Sequence, residues 1–485
     1  MRHLLLLLLT LLFAFPVTAQ TTQKKVAVIL YNFENYNLQT TTADSARSDV
    51  FTRTGPFQTG SVNAYYKENS YGHLELVGAL RSDGDVFGVY TIPNSVLQYS
   101  QQDYSGTLLW PCGSVGVGAA EQMAQSDGFV KDNYDIIIYV FPSSICNYSA
   151  ITQGHQIYIN SSNGIPNYLL AHEVGHVFGL QHAHALLCTD STGALTTIGN
   201  SCTEYNRGYG DFFDVMATGG LHHMNAYEKE QQNSGTAWFN PNNLQVVSSS
   251  GSYTITPFEL ADNEVKYLKI RRYDGSYWYL EFRQNYGFDI WAADHPVLQG
   301  ALIHLAPDPF STSGLASALI DTTPNSTLAG LYPFEDAALA IGKTFTDSAY
   351  GISFTTLNVS SAGATVQVNF DPSACKPTPA SLTVSPLTEQ GAPGTALTYK
   401  LSLRNDNITA CSGSTYTINI NAPAKWSVSP NSFSESLMPG EGVARDVFVT
   451  PPAGTRSGSY MVSQKAVNSS KKTLASSAQM TVTIH

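Results

Sequence analysis

Basic residues are few and scattered. Lys and Arg number 25 against 37 Asp and Glu, a net charge of −12 over 485 residues, and they nowhere gather into a stripe; this excludes a nucleic-acid surface. Past the N-terminus no apolar run approaches the ~20 residues that a membrane-crossing helix needs, and no repeat is long enough to suggest an array. Cysteine is sparse as well, with six residues and none before Cys112. In an exported chain such cysteines favour disulfides over thiol chemistry, and their spacing suggests three local loops: Cys112 with Cys146, Cys188 with Cys202, and Cys375 with Cys411.

Export is read from the first residues. Met1-Arg2-His3, a leucine run and Phe13-Ala14-Phe15-Pro16-Val17-Thr18-Ala19 have the charged start, apolar middle and small-residue end of a secretory signal peptide, with cleavage expected after Ala19. Gln20 stands where a lipoprotein would carry cysteine, so a secreted, soluble chain is expected instead of a lipid-anchored one. That mature chain would begin almost at its first strand, without room for a long N-terminal prodomain. Its ~465 residues are too many for one core, which predicts two to three domains.

Abundant Tyr, Ser, Thr, Asn and Gly and many short alternating segments describe a β-rich extracellular protein. Lys25 to Tyr31 is predicted as a buried first strand, Gly118 to Gln125 as a helix, Tyr134 to Phe141 as a second apolar strand, and Gln156 to Asn160 as a short alternating strand. From Lys376 onward, Ser/Thr/Val alternation broken by Pro and Gly turns suits one immunoglobulin-like sandwich.

The most specific segment is His172-Glu173-Val174-Gly175-His176-Val177-Phe178-Gly179-Leu180-Gln181-His182. On a helix each residue turns about 100°, so His172 and His176 project from one face a turn apart, while the Glu173 carboxylate falls beside their ion and not on it. A continuous helix would carry His182 to the far side. Gly179 is therefore expected to end the helix in a left-handed conformation and let the chain double back, bringing His182 in as a third nitrogen. His184 is the other imidazole nearby, but only His182 stands at the motif spacing. Three neutral protein ligands leave the fourth position of one catalytic Zn²⁺ open to water, with Glu173 as general base.

Thirty residues on, Asp214-Val215-Met216 resembles the Met turn of the metzincin clan. Within that clan, Asn69-Ser70-Tyr71-Gly72, the Met turn and His223-Met224-Asn225-Ala226-Tyr227-Glu228-Lys229 resemble the gametolysin-like family of secreted metallopeptidases. Tyr277-Trp278-Tyr279-Leu280-Glu281-Phe282-Arg283, Gly300-Ala301-Leu302-Ile303-His304 and Leu319-Ile320-Asp321-Thr322-Thr323-Pro324 resemble the β-rich module that follows this catalytic domain in such peptidases and in immune-inhibitor-type enzymes. The likeness spans Lys24 to Asp371. It implies that Met216 packs beneath the zinc site, and that Ile157, Tyr158 and Ile159 form the edge along which an extended peptide adds. Tyr209 and Tyr227 are candidates to donate a hydrogen bond to the developing oxyanion. Unlike members held latent by a propeptide thiolate, this chain has no early cysteine to serve.

The expected fold class is multidomain. A signal peptide at 1–19 precedes a metzincin-like α/β zinc peptidase domain at 20–246, a β-rich module at 247–371, a linker at 372–379 and an immunoglobulin-like β-sandwich at 380–485. The expected function is a secreted zinc metalloendopeptidase acting on extracellular proteins or glycoproteins, with the C-terminal modules directed to polysaccharide or a cell surface. The alternative is an extracellular glycan- or matrix-binding protein with an inactive zinc domain. Structural Ca²⁺ is compatible with the sequence but supported by no motif.

Overall fold

The computed structural model describes residues 21–485 apart from 94, 96–100, 103–107, 110–115, 143–147, 200, 219, 273, 308–315, 327–332 and 409. The expected signal peptide and the Cys112–Cys146 pair lie outside the described residues. The chain is multidomain and mostly β, with several separate sheets.

The first sheet is built on β1 (Thr22–Phe33), whose apolar run is buried on both faces. Val26, Val28 and Leu30 enter one hydrophobic cluster, and Ala27, Ile29, Tyr31 and Phe33 enter another. Such two-sided burial belongs to a parallel sheet covered by helices. Helix α1 (Val62–Asn69), β2 (Leu74–Val77), β3 (Asp85–Ile92), α2 (Val117–Ser126), β4 (Ile136–Phe141), β5 (Ala150–Gln153), β6 (Gln156–Asn160) and α3 (Asn167–Val177) follow. The strand order is β2-β1-β4-β6-β5, with β3 also on β1. α3 buries Leu170, Ala171 and Val174 on one side of this sheet, and α2 buries Val117, Ala120 and Ala124 on the other.

One expectation is corrected here. Gln156–Asn160 is no edge: β6 pairs with β4 on one side in parallel and with β5 on the other in antiparallel. Among the described residues the free edge belongs to β5, formed because Gln153-Gly154-His155-Gln156 is a tight reversal with Gly154 at φ +62°, the positive angle that a two-residue hairpin demands of glycine.

After α3 the chain leaves this sheet. β7 (His184–Thr189), β8 (Leu195–Thr196) and β9 (Ser201–Glu204) form a small hairpin system in a nine-stranded second sheet. Helix α4 (Ala226–Gln231), β10 (Leu244–Val246), β11 (Gly251–Ile255), β12 (Tyr267–Arg271), β13 (Tyr277–Glu281), β14 (Gly300–Ala306), β15 (Ala318–Ile320) and β16 (Leu339–Ala340) come next. The main path of this sheet runs β8-β7-β15-β14-β13-β12-β10. β17 (Thr344–Asp347), β18 (Ile352–Ser360) and β19 (Gly363–Phe370) join β11 in a third sheet. Residues of both sheets, including Ile270, Trp278, Phe354 and Val366, close one core between them.

The C-terminal residues form two facing sheets of four and five strands. Leu397–Arg404 shows the cause: Leu397, Tyr399, Leu401 and Leu403 are buried while Thr398, Lys400 and Arg404 face water, the period of two that one covered face requires. The Cys375–Cys411 disulfide ties the segment entering this unit to a loop within it.

The Cys188–Cys202 disulfide joins directly opposed residues of β7 and β9, so it clamps the strand that begins two residues past His182. Replacing both cysteines by serine should lower stability by about 3 kcal/mol, as expected for a loop of this size. A denaturant midpoint that does not move would show that the hairpin holds by hydrogen bonding alone.

Candidate metal centre

The site starts from the end of α3. Gly179 N–H donates to His176 O at 3.0 Å and Leu180 N–H to Gly175 O at 3.1 Å, with Gly179 at φ +82°. This pair of bonds around a left-handed glycine is the Schellman motif. The chain therefore reverses where the spacing requires, and one ring nitrogen from each of His172, His176 and His182 comes within 4.8 Å of the others. It is the group of metal-ligating side chains found among the described residues.

The donor set fits a metal ion. His172 Nδ1 lies 2.9 Å from Val215 O, and His176 Nδ1 lies 2.9 Å from Leu180 O. Each Nδ1–H thus donates to a backbone carbonyl, which leaves the Nε2 lone pair for a ligand and fixes the ring. Burial, then the charge of His176, lowers His172 to a pKa of about 4. Burial, then His176, His172 and His184, lowers His182 to about 3. Both rings are neutral at ordinary pH, the form that binds metal.

Glu173 lies in the same cleft, buried with only 6% exposure. Burial raises its pKa, opposed by a hydrogen bond from Thr152 and by His176. Thr152 Oγ1 lies 2.6 Å from Glu173 Oε2 and 2.9 Å from Glu173 O. The hydroxyl on the edge strand thereby fixes which way the carboxylate points. Thr152 escapes a sequence reading, because nothing in its own neighbours marks it; a Gly154-His155 turn before the strand at 156–160 is the one signal that could have pointed to β5. The cleft, of about 740 Å³, is lined by β5 and its turn, the three histidines, Glu173 and Tyr209.

Tyr209 lines this cleft, with its ring centre 3.9 Å from that of His182. Burial, then the Glu173 charge, raises its pKa. Tyr227 does not reach the cleft. Its ring packs against Tyr279 at 5.7 Å within a core cluster that holds Phe258 and Tyr267, because α4 is docked on the second sheet. His184, on β7, faces Glu204 at 3.4 Å and is outside the ligand group. His222 and His223 are buried against Asp289 and Glu68 and do not line the cleft. Ile157 and Ile159 are core residues beneath α3; Tyr158 faces the opposite cluster.

Beneath the histidines runs the turn of 211–217. Met216 is fully buried, and a Cβ added at Gly175 would overlap its Sδ, so the helix glycine is what admits the thioether. Asp214 Oδ1 accepts from Met216 N at 2.7 Å and Oδ2 from Asn225 N at 2.6 Å, which sets the turn. Burial, then the Asp211 charge, pushes the Asp214 carboxyl up to about 7.

With this geometry in hand, comparison with known proteins adds one family. Residues 392–468 match the family described as "NPCBM-associated, NEW3 domain of alpha-galactosidase". No curated protein sequence matches the chain. Among solved structures, the ASH/PapD-like domain of human CEP192 is similar at 12% identity, covering 23% of this chain and 89% of that one, with a TM-score of 0.17. The E. coli chaperone DraB is similar at 15% identity over 22% of this chain and 55% of its own, with a TM-score of 0.17. The secreted serine protease VesC from Vibrio cholerae is similar at 14% identity over 27% of this chain and 32% of its own, also at 0.17. At these scores none of the three bears on the site.

The lowered pKa values set a titration. Because the folded rings resist protonation and the unfolded rings accept protons near 6.5, the contribution of His172 and His182 to stability is complete above pH 6.5 and is lost as pH falls towards 4 and 3. In the metal-free protein, ring resonances followed by NMR should titrate with midpoints near 4 for His172 and near 3 for His182. Midpoints near 6.5 would mean solvated rings and no preformed centre.

Proposed function

We propose that this chain is a secreted zinc-dependent endopeptidase, similar to the gametolysin-like metzincins, that cleaves extracellular proteins or glycoproteins. The observation that carries this reading is the convergence of three imidazoles and the Glu173 carboxylate on one cleft beside a free strand edge. His172, His176 and His182 would hold the ion. Zn²⁺, when bound, supplies a Lewis acid that polarises the scissile carbonyl and lowers the pKa of water. Glu173 takes the proton of the attacking water on a carboxylate oxygen and returns it to the leaving amine. Thr152 keeps that carboxylate aimed. β5 offers its unpaired backbone groups to an extended substrate, the role that sequence had given to its neighbour β6. Tyr209 stands beside His182, where a phenol can donate to negative charge growing on the substrate oxygen. Met216 acts as the Met-turn residue by packing beneath α3.

The second reading, an extracellular glycan- or matrix-binding protein with an inactive zinc domain, is favoured by the match of 392–468 to a domain described as NPCBM-associated and as the NEW3 domain of alpha-galactosidase. The immunoglobulin-like sandwich would then carry the function. Export is supported by the leader-like N-terminus and by the Cys188–Cys202 and Cys375–Cys411 disulfides; among the described residues no helix is long and apolar enough to cross a membrane.

Purified chain from Gln20 onward should cut a mixed peptide library, with cuts mapped by mass spectrometry. Glu173→Ala should retain zinc and lose at least the roughly 10²- to 10⁴-fold typical of acid–base catalysis. Zinc-loaded wild type that cuts nothing but binds glycans would favour the second reading. Thr152→Val, which removes only the hydroxyl held by Glu173, should lower kcat about tenfold at unchanged KM, as loss of a hydrogen bond to a charged group implies. An unaltered kcat would assign Thr152 to the strand alone.

A further inference from the structure

The third ligand is positioned from outside the first sheet. Ala183, next to His182, donates its N–H to Met216 O at 3.0 Å and accepts at its own carbonyl from Asp211 N at 3.2 Å. His184 N–H donates to Ser317 O at 2.8 Å, and from there β7 pairs in parallel with β15, Ala318 to Ile320 opposite His184 to Leu186. The segment 209–211 returns across this point, bringing Tyr209 against His182.

What holds that segment is Asp211. Its Oδ1 accepts from Phe213 N at 3.0 Å, opening the turn that leads to Met216. Its Oδ2 lies 2.8 Å from Nε2 of His304, on β14 of the second sheet. Neither side chain is more than 1% exposed. A carboxylate in such a place is held by its partners, so its direction, and that of the chain on either side, is set by His304.

We infer that His304 is a positioning residue for the metal centre: through Asp211 it fixes the backbone that braces Ala183 and lays Tyr209 on His182. This rests on the reading of the three histidines as a metal site. Substitution of an outer residue that orients ligands typically costs 10- to 100-fold in metal affinity. The test is Zn²⁺ affinity of the metal-free full chain by chelator competition, with the visible spectrum of bound Co²⁺ as a report on ligand geometry. Two variants are compared: His304→Gln, whose amide reaches far enough to donate to Asp211, and His304→Asn, one carbon shorter. His304→Asn should bind Zn²⁺ about 10- to 100-fold more weakly with an altered Co²⁺ spectrum, and His304→Gln should stay within about threefold of wild type. The inference is overturned by an Asn variant that binds as wild type does, by equal losses in both, or by an Asn variant that does not fold, since His304 would then serve the core in general. Wild type that takes up neither Zn²⁺ nor Co²⁺ would instead defeat the metal-site reading on which the inference stands.

Discussion

The guanidinium of Arg283 is wholly removed from water, and much of the arrangement follows from that. Its Nη1 donates to Asp289 Oδ2 at 2.7 Å and its Nε to Glu281 Oε1 at 2.8 Å, while its Cζ lies 4.5 Å from the centre of the Phe258 ring. A charge in such a place is tolerable only when every partner is present and oriented. The remaining oxygens are therefore committed as well: Glu281 Oε2 accepts from Ala226 N and Asp289 Oδ1 from His223 N. The start of α4, which follows the turn beneath the three histidines, is thereby pinned to β13. Cutting the chain between them would leave buried carboxylates and backbone N–H groups unpaired, at a cost of several kcal/mol.

The same junction gathers stretches that lie far apart in the sequence. Glu68 Oε1 meets His223 Nε2 at 3.0 Å, Lys229 Nζ meets His223 Nδ1 and the Tyr71 hydroxyl at 3.0 Å each, and Tyr71 in turn donates to Phe258 O at 2.6 Å. The segments 69–72, 223–229 and 277–283 are neighbours in space, each supplying part of one buried polar network. Burial, then the positive charge of Arg283, pushes Lys229 well below the ordinary lysine range. Polar groups of this kind are exacting: one altered member strands the others.

How much was legible in the sequence follows from the range of the forces involved. The helix, its glycine stop and the return of His182 were readable because they are set within eleven residues by helix periodicity and one positive φ. Strands buried on one or both faces were readable from alternation or an unbroken apolar run, as in Leu397–Arg404 and β1. Which strand lies at an edge was not, since pairing order is decided between segments, and β5 covers β6 through a hairpin at Gly154 that the strand pattern alone does not announce. Tyr227 misled for the same reason. Its position after the 211–217 turn says nothing of the sheet that α4 docks on, and docking turned its ring towards Tyr279. Thr152, Asp211 and His304 are ordinary residues in sequence, and their roles arise only when β5, the 211–217 turn and β14 are brought together.

This division between near and far contacts carries over to how the centre forms. His172 and His176 share one face of α3 as soon as that helix exists. The helix stop delivers His182 to the neighbourhood, yet its final direction depends on Ala183 between Met216 and Asp211, and on β7 lying against β15, a strand more than a hundred residues later in the chain. Pairings between distant segments are the slow part of folding, because the loop must close before any contact offsets its entropy. Two nitrogens are thus placed by α3 itself, and the direction of the third by contacts from the 211–217 turn and from β15.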